Sequence, residues 1–143
     1  MRVTWRTSIK SKYQWGIGMG IEMQEAIADL AVVTTKLGVL AQDSGPDRRR
    51  DLIQLRRELG TVLEAVARAA DTDVDCFSTP DRLAEALPRI SSVRHTVALH
   101  QGSWSAVLIE TDQDAYRKSA EEALDALRGL VTWLKASTRS RHI

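Results

Sequence analysis

DRRRDLIQLRRELGTVLEAVARAA, residues 47–70, is the clearest amphipathic segment of the chain and decides its fold class. Its apolar residues recur at alternating steps of three and four, which places them along one side of an α-helix. These positions are Leu52, Leu55, Leu59, Val62, Val66 and Ala69. Gly60 costs such a helix about 1 kcal/mol relative to alanine, so it indicates either a close neighbour or a tolerated defect. The segment predicts one long helix with a buried face.

Two other segments show the same spacing and predict two more long helices. The first covers residues 19–42. Gly45 and Pro46 stop this helix, and either Ser44 or Asp47 can cap the next one. Its stripe consists of Met23, Ile27, Leu30, Thr34, Leu37 and Ala41. The other begins at residues 111–114, where Thr111 and Asp114 have the spacing of a capping box, and runs to about residue 135. Its stripe consists of Tyr116, Ala120, Leu124, Leu127, Val131 and Leu134.

The stretch between the second and the last of these helices predicts shorter elements. Ser78 or Thr79 can cap a short helix with Pro80 in its first turn, and Pro88 marks its end. A modest helix follows at residues 89–100, with Ile90, Val93 and Val97 facing inward. DTDVDCF, residues 71–77, reads as a polar loop, and WSAVLIE, residues 104–110, is ambiguous between helix and strand, with helix slightly favoured. The sequence therefore predicts an all-α bundle of three long and one or two short helices.

Length and composition agree with one domain. The 143 residues are 43% hydrophobic, and the chain has few aromatic, proline and glycine residues, a composition that suits helix packing. No stretch approaches the roughly 18 consecutive apolar residues of a membrane span, and no signal peptide is evident. Cys76 is the single cysteine, which excludes an internal disulfide and favours a reducing compartment, with the cytoplasm as the default.

The formal net charge of +1 conceals a strong segregation. Residues 1–21 carry four basic residues and residues 135–143 carry three, and neither segment has an acid, whereas residues 22–134 carry 13 basic and 19 acidic residues. We therefore predict three regions: a basic and aromatic arm at residues 1–18, a helical bundle at 19–135, and a basic tail at 136–143.

The chain offers no pattern typical of a catalytic, metal or cofactor site. His95 and His100 would lie about 140° apart around a helix, so they cannot hold one metal from one face. Cys76 is flanked by an aspartate and suits a small buried hydrophobe better than a nucleophile. The alternating aspartates of residues 71–75 lack the glycine and glutamate that complete a calcium loop. The glycine-rich residues 16–20 lack a phosphate-loop lysine and suit a hinge. We expect no enzyme, no metal and no cofactor.

Arginines of the second helix carry the main functional hypothesis. Arg49 and Arg56 are one heptad apart, and Arg50 and Arg57 form a parallel pair beside them, so the four predict a ridge. Arg48 extends the cluster into the first helical turn, where the helix dipole disfavours positive charge. The planar fork of arginine suits phosphate oxygens, which makes a nucleic-acid backbone a natural partner. The alternative is a solvated ridge, or one paired internally with Asp47, Asp51, Glu58 and Glu64.

The N-terminal arm supports the same hypothesis. It interleaves aromatic rings with cations, a combination that holds single-stranded nucleic acid because cations follow the backbone while rings stack on bases. The cations are Arg2, Arg6, Lys10 and Lys12, and the rings are Trp5, Tyr13 and Trp15. These rings could equally dock on a neighbouring subunit. Trp104 and Trp133 are better suited to core or interface anchors than to base stacking.

Two resemblances follow from these features. A small helical chain with the basic ridge Arg49, Arg50, Arg56 and Arg57 resembles the small helical subunit of CRISPR ribonucleoprotein effector complexes, which implies a role in holding nucleic acid by its backbone. No sharp motif carries this resemblance, so it transfers no individual residue. QGSWSA, residues 101–106, is similar to the turn of a secreted helical-hairpin family with Trp-x-Gly, but Ala106 stands where that family has glycine.

These features lead to two hypotheses of function. The first is a non-enzymatic, cytoplasmic accessory subunit of a nucleoprotein complex, with RNA or single-stranded DNA backbone and other protein subunits, including copies of itself, as partners and with no membrane contact. The second is a helical protein–protein interaction module, such as an adaptor, a chaperone or a secreted helical partner, whose arginines meet acidic side chains. Salt-sensitive binding of nucleic acid distinguishes the two.

Overall fold

Four long α-helices make up the computed structural model, which describes residues 21–43 and 45–139. They are α1 (Ile21–Ala41), α2 (Arg48–Thr72), α3 (Pro80–Ser103) and α4 (Gln113–Ser137), with short 3-10 turns at Val74–Cys76 and Ile109–Thr111. The described ranges hold no strand, only an isolated bridge between Phe77 and Thr138. The predicted all-α bundle is confirmed. Several predictions lie outside the described residues: the arm at 1–18, the hinge at 16–20, the cap at Ser44 and the end of the tail.

The helices surround one elongated core. α1 and α3 each pack against both α2 and α4, so each helix of the bundle has two main neighbours. The larger apolar cluster fills most of the bundle, and a smaller one closes the end where α1 leads into α2. Met23, Leu30, Val66 and Leu134 are fully buried in the larger cluster. The predicted stripes face this core because a spacing of three and four residues is the spacing of one helix face.

The prediction that Pro88 ends a helix is wrong. α3 runs through this position without a break from Pro80 to Ser103, so the bundle has four long helices rather than three long and one or two short. Proline removes the hydrogen bond to the carbonyl four residues earlier, at Ala84. Both Ala84 and Pro88 are exposed, so water can bind that carbonyl, while the burial of Ala86 and Ile90 holds the helix on the core.

The N-terminal cap of α3 agrees with the prediction, whereas those of α2 and α4 differ from it. Thr79 caps α3 and accepts a hydrogen bond from the Arg82 backbone N at 3.2 Å, as predicted. The cap of α4 is Asp112, which accepts from the Ala115 backbone N at 3.1 Å, and not the predicted Thr111. Asp47 precedes α2 but makes no side-chain cap hydrogen bond. At the start of α4 the capping side chain is thus the carboxylate of Asp112, one residue after the predicted Thr111.

Connections between helices are tighter than the sequence indicates. α2 extends to Thr72, and the predicted loop at 71–77 becomes the end of that helix followed by a 3-10 turn. Residues 104–110 are turns and the start of a second 3-10 turn, neither the helix nor the strand that the sequence left open. Ile109 is buried in the smaller cluster. One buried side chain thus anchors the segment without regular structure.

The residues after α4 are hydrogen-bonded to the 3-10 turn before α3 and to α1. The Arg139 backbone N donates to the Cys76 carbonyl at 2.7 Å, and the Gln24 side chain donates to the Arg139 carbonyl at 2.9 Å. α4 itself reaches Ser137. The bundle therefore continues through residue 139, beyond the predicted boundary at 135.

Both predictions for the core near this end are confirmed. Cys76 is 1% exposed, and burial, together with Asp73, raises the pKa of its thiol to about 12. Trp133 is buried, with its ring centroid 6.4 Å from that of Phe77 and 4.9 Å from the guanidinium of Arg89. A guanidinium over an indole face adds a cation–π attraction to the packing.

Gly60 has no close neighbour inside the bundle. A side-chain atom added at Gly60 would meet nothing within 4 Å, which favours a tolerated defect over a close neighbour.

Within residues 21–43 and 45–139, none of the helices has both the length and the apolar character needed to cross a bilayer.

Candidate functional site

The predicted arginine ridge is narrower than the sequence indicates. Arg49, Arg50 and Arg57 are exposed on the outer surface of α2, whereas Arg48 is only 5% exposed and Arg56 is half-buried. Arg56 belongs to the flank of the helix that carries the apolar residues, so it lines an internal cavity instead of the surface. The four-arginine ridge is corrected to three residues, called here the outer arginines: Arg49, Arg50 and Arg57.

Arg48 fastens the connection between α1 and α2. Its Nη1 donates to the Asp43 carbonyl at 3.0 Å, and its Nη2 lies 3.8 Å from Glu110 Oε2 in the turn before α4. The guanidinium thus bridges two connections that are far apart in sequence. A buried cation with these partners is not available to a phosphate on the surface.

Internal pairing accounts for only part of the outer arginines. Arg50 lies 3.5 Å from Asp47 and 3.7 Å from Asp51, and these exposed pairs contribute little to stability. Arg49 and Arg57 form no ion pair with any described residue. Two of the acids considered as partners are engaged elsewhere, because Glu58 accepts from Gln54 and Glu64 binds Arg68 at 3.0 Å.

The remaining predicted cations are only partly covered by the structure. Arg2, Arg6, Lys10 and Lys12 lie outside the described residues, as do the aromatic residues Trp5, Tyr13 and Trp15 between them. At the other end of the chain, Lys135 and Arg139 are exposed at the close of α4.

An internal cavity of about 30 Å³ lies where the two apolar clusters meet. All four helices contribute to its wall, which explains why the sequence did not reveal it. Most of the wall is apolar and includes Leu37, Leu52, Leu59, Val97, Leu124 and Leu127. Its polar lining residues are Arg56, His100, Gln101 and Tyr116.

Burial dominates the electrostatics of this cavity. The Arg56 Nη2 atom is buried and has no hydrogen-bond partner among the described residues, and burial lowers the pKa of its guanidinium. Burial, and then the positive charge of Arg56, lower the pKa of His100 to about 4. Burial raises the pKa of Tyr116 against the opposing effect of the two nearby arginines, Arg48 and Arg56. At neutral pH the cavity therefore contains one cation beside a neutral imidazole and a neutral phenol.

His100 is held in place by its neighbours. Its Nδ1 and Ser119 Oγ share a hydrogen bond of 2.7 Å, and its ring centroid lies 5.8 Å from that of Tyr116. Trp104 packs edge-on against Tyr116 at 6.0 Å and is partly buried against the smaller apolar cluster. A histidine with a pKa of about 4 is a weak general base at neutral pH. The pair of His100 and Ser119 is therefore a poor candidate for nucleophilic catalysis.

The described residues contain no group of three or more histidine, cysteine, aspartate or glutamate side chains that could hold a metal ion. His95 is exposed, whereas His100 points into the bundle. The two histidines thus face different environments, as their spacing predicts.

A shallow groove lies between α1 and α4, with exposed valines on the α1 side. Val32 and Val39 on α1 are 52% and 70% exposed, and Val39 lines the groove together with Ala31 and Thr34. Thr34 Oγ1 is buried without a described partner. Contiguous apolar patches, rather than single exposed side chains, mark surfaces that meet another protein.

Comparison of the chain with protein-family models, with curated proteins and with solved structures found no match. No family's residues, ligands or partners are therefore carried over to this chain. Its outer arginines, its internal cavity and its apolar groove are the features from which a function can be inferred.

Proposed function

We propose that this protein is a non-enzymatic helical subunit that contacts the phosphate backbone of a nucleic acid through the outer arginines and its basic terminal segments. The observation that carries the proposal is that Arg49 and Arg57 are exposed and form no ion pair with the residues that the structure describes. Arg50 adds a third guanidinium on the same surface, and its pairs with Asp47 and Asp51 are long and solvent-exposed.

Folding alone gives no reason for these arginines. They face away from the core, and two of them stand in the first turn of α2, where the helix dipole disfavours a cation by a few tenths of a kcal/mol. Guanidinium groups on one rigid helix can meet successive phosphates because their spacing is set by the helix. This arrangement supports contacts that position a backbone but do not read its bases.

The resemblance to the small helical subunit of CRISPR ribonucleoprotein effector complexes suggests the type of assembly. In this proposal the chain works in the cytoplasm beside other subunits, including copies of itself. The lone, buried Cys76 is compatible with a reducing compartment.

The decisive experiment measures binding as a function of salt. Each phosphate contact releases counterions, so losing one contact lowers the slope of log affinity against log salt by about 0.7 to 0.9. The double variant Arg49→Ala/Arg57→Ala should therefore flatten the slope by about 1.4 to 1.8, with a similar loss for unrelated sequences. Fluorescence anisotropy with labelled RNA and DNA of two sequences gives these slopes.

The matched control is Arg68→Ala/Arg128→Ala. It removes the same charge, but each of these arginines is already paired with an acid about one helical turn earlier, Glu64 and Asp125. This control should retain most of the slope. If both double variants lose equally, net charge and not the outer arginines governs binding.

The N-terminal arm gives a second test. Removing residues 1–15 should weaken binding of single strands more than binding of duplexes, because aromatic rings stack only on exposed bases. An equal loss for both would assign the arm a purely electrostatic role.

A second candidate function is a protein–protein interaction module, which the exposed Val32 and Val39 beside the groove between α1 and α4 favour. If the full chain, alone or in its native complex, shows no salt-sensitive binding of RNA or DNA near physiological ionic strength, the nucleic-acid proposal is wrong. The interaction module would then take its place.

A further inference from the structure

The outer face of α1 is poor in charge. Residues 26–42 include only two charged side chains, Asp29 and Lys36. One face of this helix is buried in the core, and the opposite face is also mostly apolar or small. Val32 and Val39 are 52% and 70% exposed there. A helix that is apolar on all sides is normally covered on all sides, so this face needs a partner that the described part of the bundle does not supply.

The exposed residues of this face follow a heptad spacing. Alternating steps of four and three residues separate Ala28, Val32, Thr35, Val39 and Gln42, and all five are exposed. This set is called here the α1 stripe. Its spacing is that of the contact positions in a two-stranded coiled coil. The Thr35 hydroxyl already donates to the carbonyl four residues earlier at 3.0 Å, so it needs no acceptor across an interface.

Two opposite charges flank the α1 stripe on the same edge. Asp29 and Lys36 each follow a stripe residue directly, and both are exposed. They are seven residues apart, which is about 10 Å along the helix axis, so they do not pair with each other. Neither forms an ion pair with any residue that the structure describes. Each chain therefore presents one unpaired anion and one unpaired cation beside its apolar stripe.

We propose that α1 packs antiparallel against α1 of a second copy of this chain, in a twofold symmetric dimer. In the coiled-coil register, Val32 of one copy faces Thr35 of the other, and Ala28 faces Val39. The twofold axis makes each of these contacts occur twice. The same register brings Asp29 of each copy beside Lys36 of the other, because flanking positions of the same type meet along one edge of an antiparallel pair.

The flanking charges select this orientation and a copy of the chain as the partner. In a parallel pair, Asp29 and Lys36 would face Gln24 and Ala31, which carry no charge. The antiparallel pair satisfies both charges with one type of chain, because the two flanking residues complement each other. This interface lies on α1 and does not use the outer arginines. It therefore goes beyond the proposed contact with nucleic acid and is independent of it.

The test measures self-association of the full chain without nucleic acid. One pair of helices buries less area than a standard interface, so we expect micromolar affinity, measured by sedimentation equilibrium from about 1 µM to about 1 mM. Val39→Glu should weaken the dimer by at least about 10-fold, because the interface would bury the new carboxylate twice.

Leu99→Glu is the matched control for this variant. Leu99 is 59% exposed on α3, which is not a main neighbour of α1, so its replacement should leave dimer affinity within about 2-fold. Unchanged far-UV circular dichroism verifies that both variants are folded.

Charge reversal tests the register. Asp29→Lys puts lysine at both flanking positions, and Lys36→Asp puts aspartate at both, so each variant alone should dimerise about 10-fold more weakly. An equimolar mixture of the two variants should recover the parent affinity within about 3-fold, because each chain then meets the opposite charges. The double variant Asp29→Lys/Lys36→Asp should recover it as well. These differences should shrink at about 1 M salt, where screening is strong.

Three results would overturn the proposal. A parent chain that stays monomeric up to about 1 mM would leave the outer face of α1 to a different protein. Equal weakening by Val39→Glu and Leu99→Glu would place self-association elsewhere on the surface. A mixture of the two charge-reversed variants that associates no better than either alone would contradict the antiparallel register. None of these measurements involves nucleic acid, so the two proposals fail separately.

Discussion

Replacing Arg56 with methionine should make the protein more stable. In the native state the Nη2 atom is buried without an acceptor, and an unsatisfied buried donor costs about 1–3 kcal/mol. Methionine has a similar length, has no donor, and packs well into irregular apolar space next to Leu52 and Leu59. Because part of the Arg56 side chain remains accessible, the lower half of this range applies, and we expect a gain of about 1–2 kcal/mol in the free energy of unfolding.

Urea unfolding followed by far-UV circular dichroism measures this gain. The transition midpoint should rise while its slope stays the same, which shows that stability changed and the unfolded state did not. Arg57→Met is the control, and its change should stay within about 0.5 kcal/mol, as is usual for an exposed substitution.

The opposite result would refute this reasoning. If Arg56→Met lowers stability relative to Arg57→Met, then the guanidinium has a favourable partner in solution that the described residues do not provide. A loss of about 1.5–3 kcal/mol would match that of breaking a hydrogen bond to a charged group.

Three further predictions concern the core and its titratable groups. Leu127→Ala should cost about 2–5 kcal/mol because Leu127 is 1% exposed, while Leu99→Ala at an exposed site should change the unfolding free energy by less than about 0.5 kcal/mol. Stability should fall by up to about 3 kcal/mol as the pH drops from 6.5 to about 4. In this range His100 takes up a proton in the unfolded chain, whereas burial keeps it neutral in the native state. Urea midpoints measured across this range should fall less for His100→Gln, and parallel profiles would contradict the assignment. Cys76 should react with a thiol reagent only on unfolding, since burial holds its pKa at about 12, and rapid reaction of the native protein would disprove that burial.

Much of the helical architecture could be predicted from local patterns. The stripe that includes Leu52, Leu59 and Val66 is buried in α2 as its spacing predicts, because periodicity along one helix is a property of neighbouring residues. The cap at Thr79 is equally local. Pro88 misled the prediction because its cost depends on whether water reaches the carbonyl at Ala84, which is settled only when α3 has packed.

The candidate sites show the same difference between what local spacing predicts and what helix packing adds. Residue spacing along α2 is enough to predict a basic flank and an apolar face, because spacing sets the angle around a helix axis. Spacing does not show that Arg49 and Arg57 meet solvent while Arg48 and Arg56 point inward. That difference depends on how closely the neighbouring helices approach, because their approach sets the width of the buried face and brings together groups from distant parts of the chain. The cavity beside Arg56 exists for the same reason, because its walls belong to all four helices.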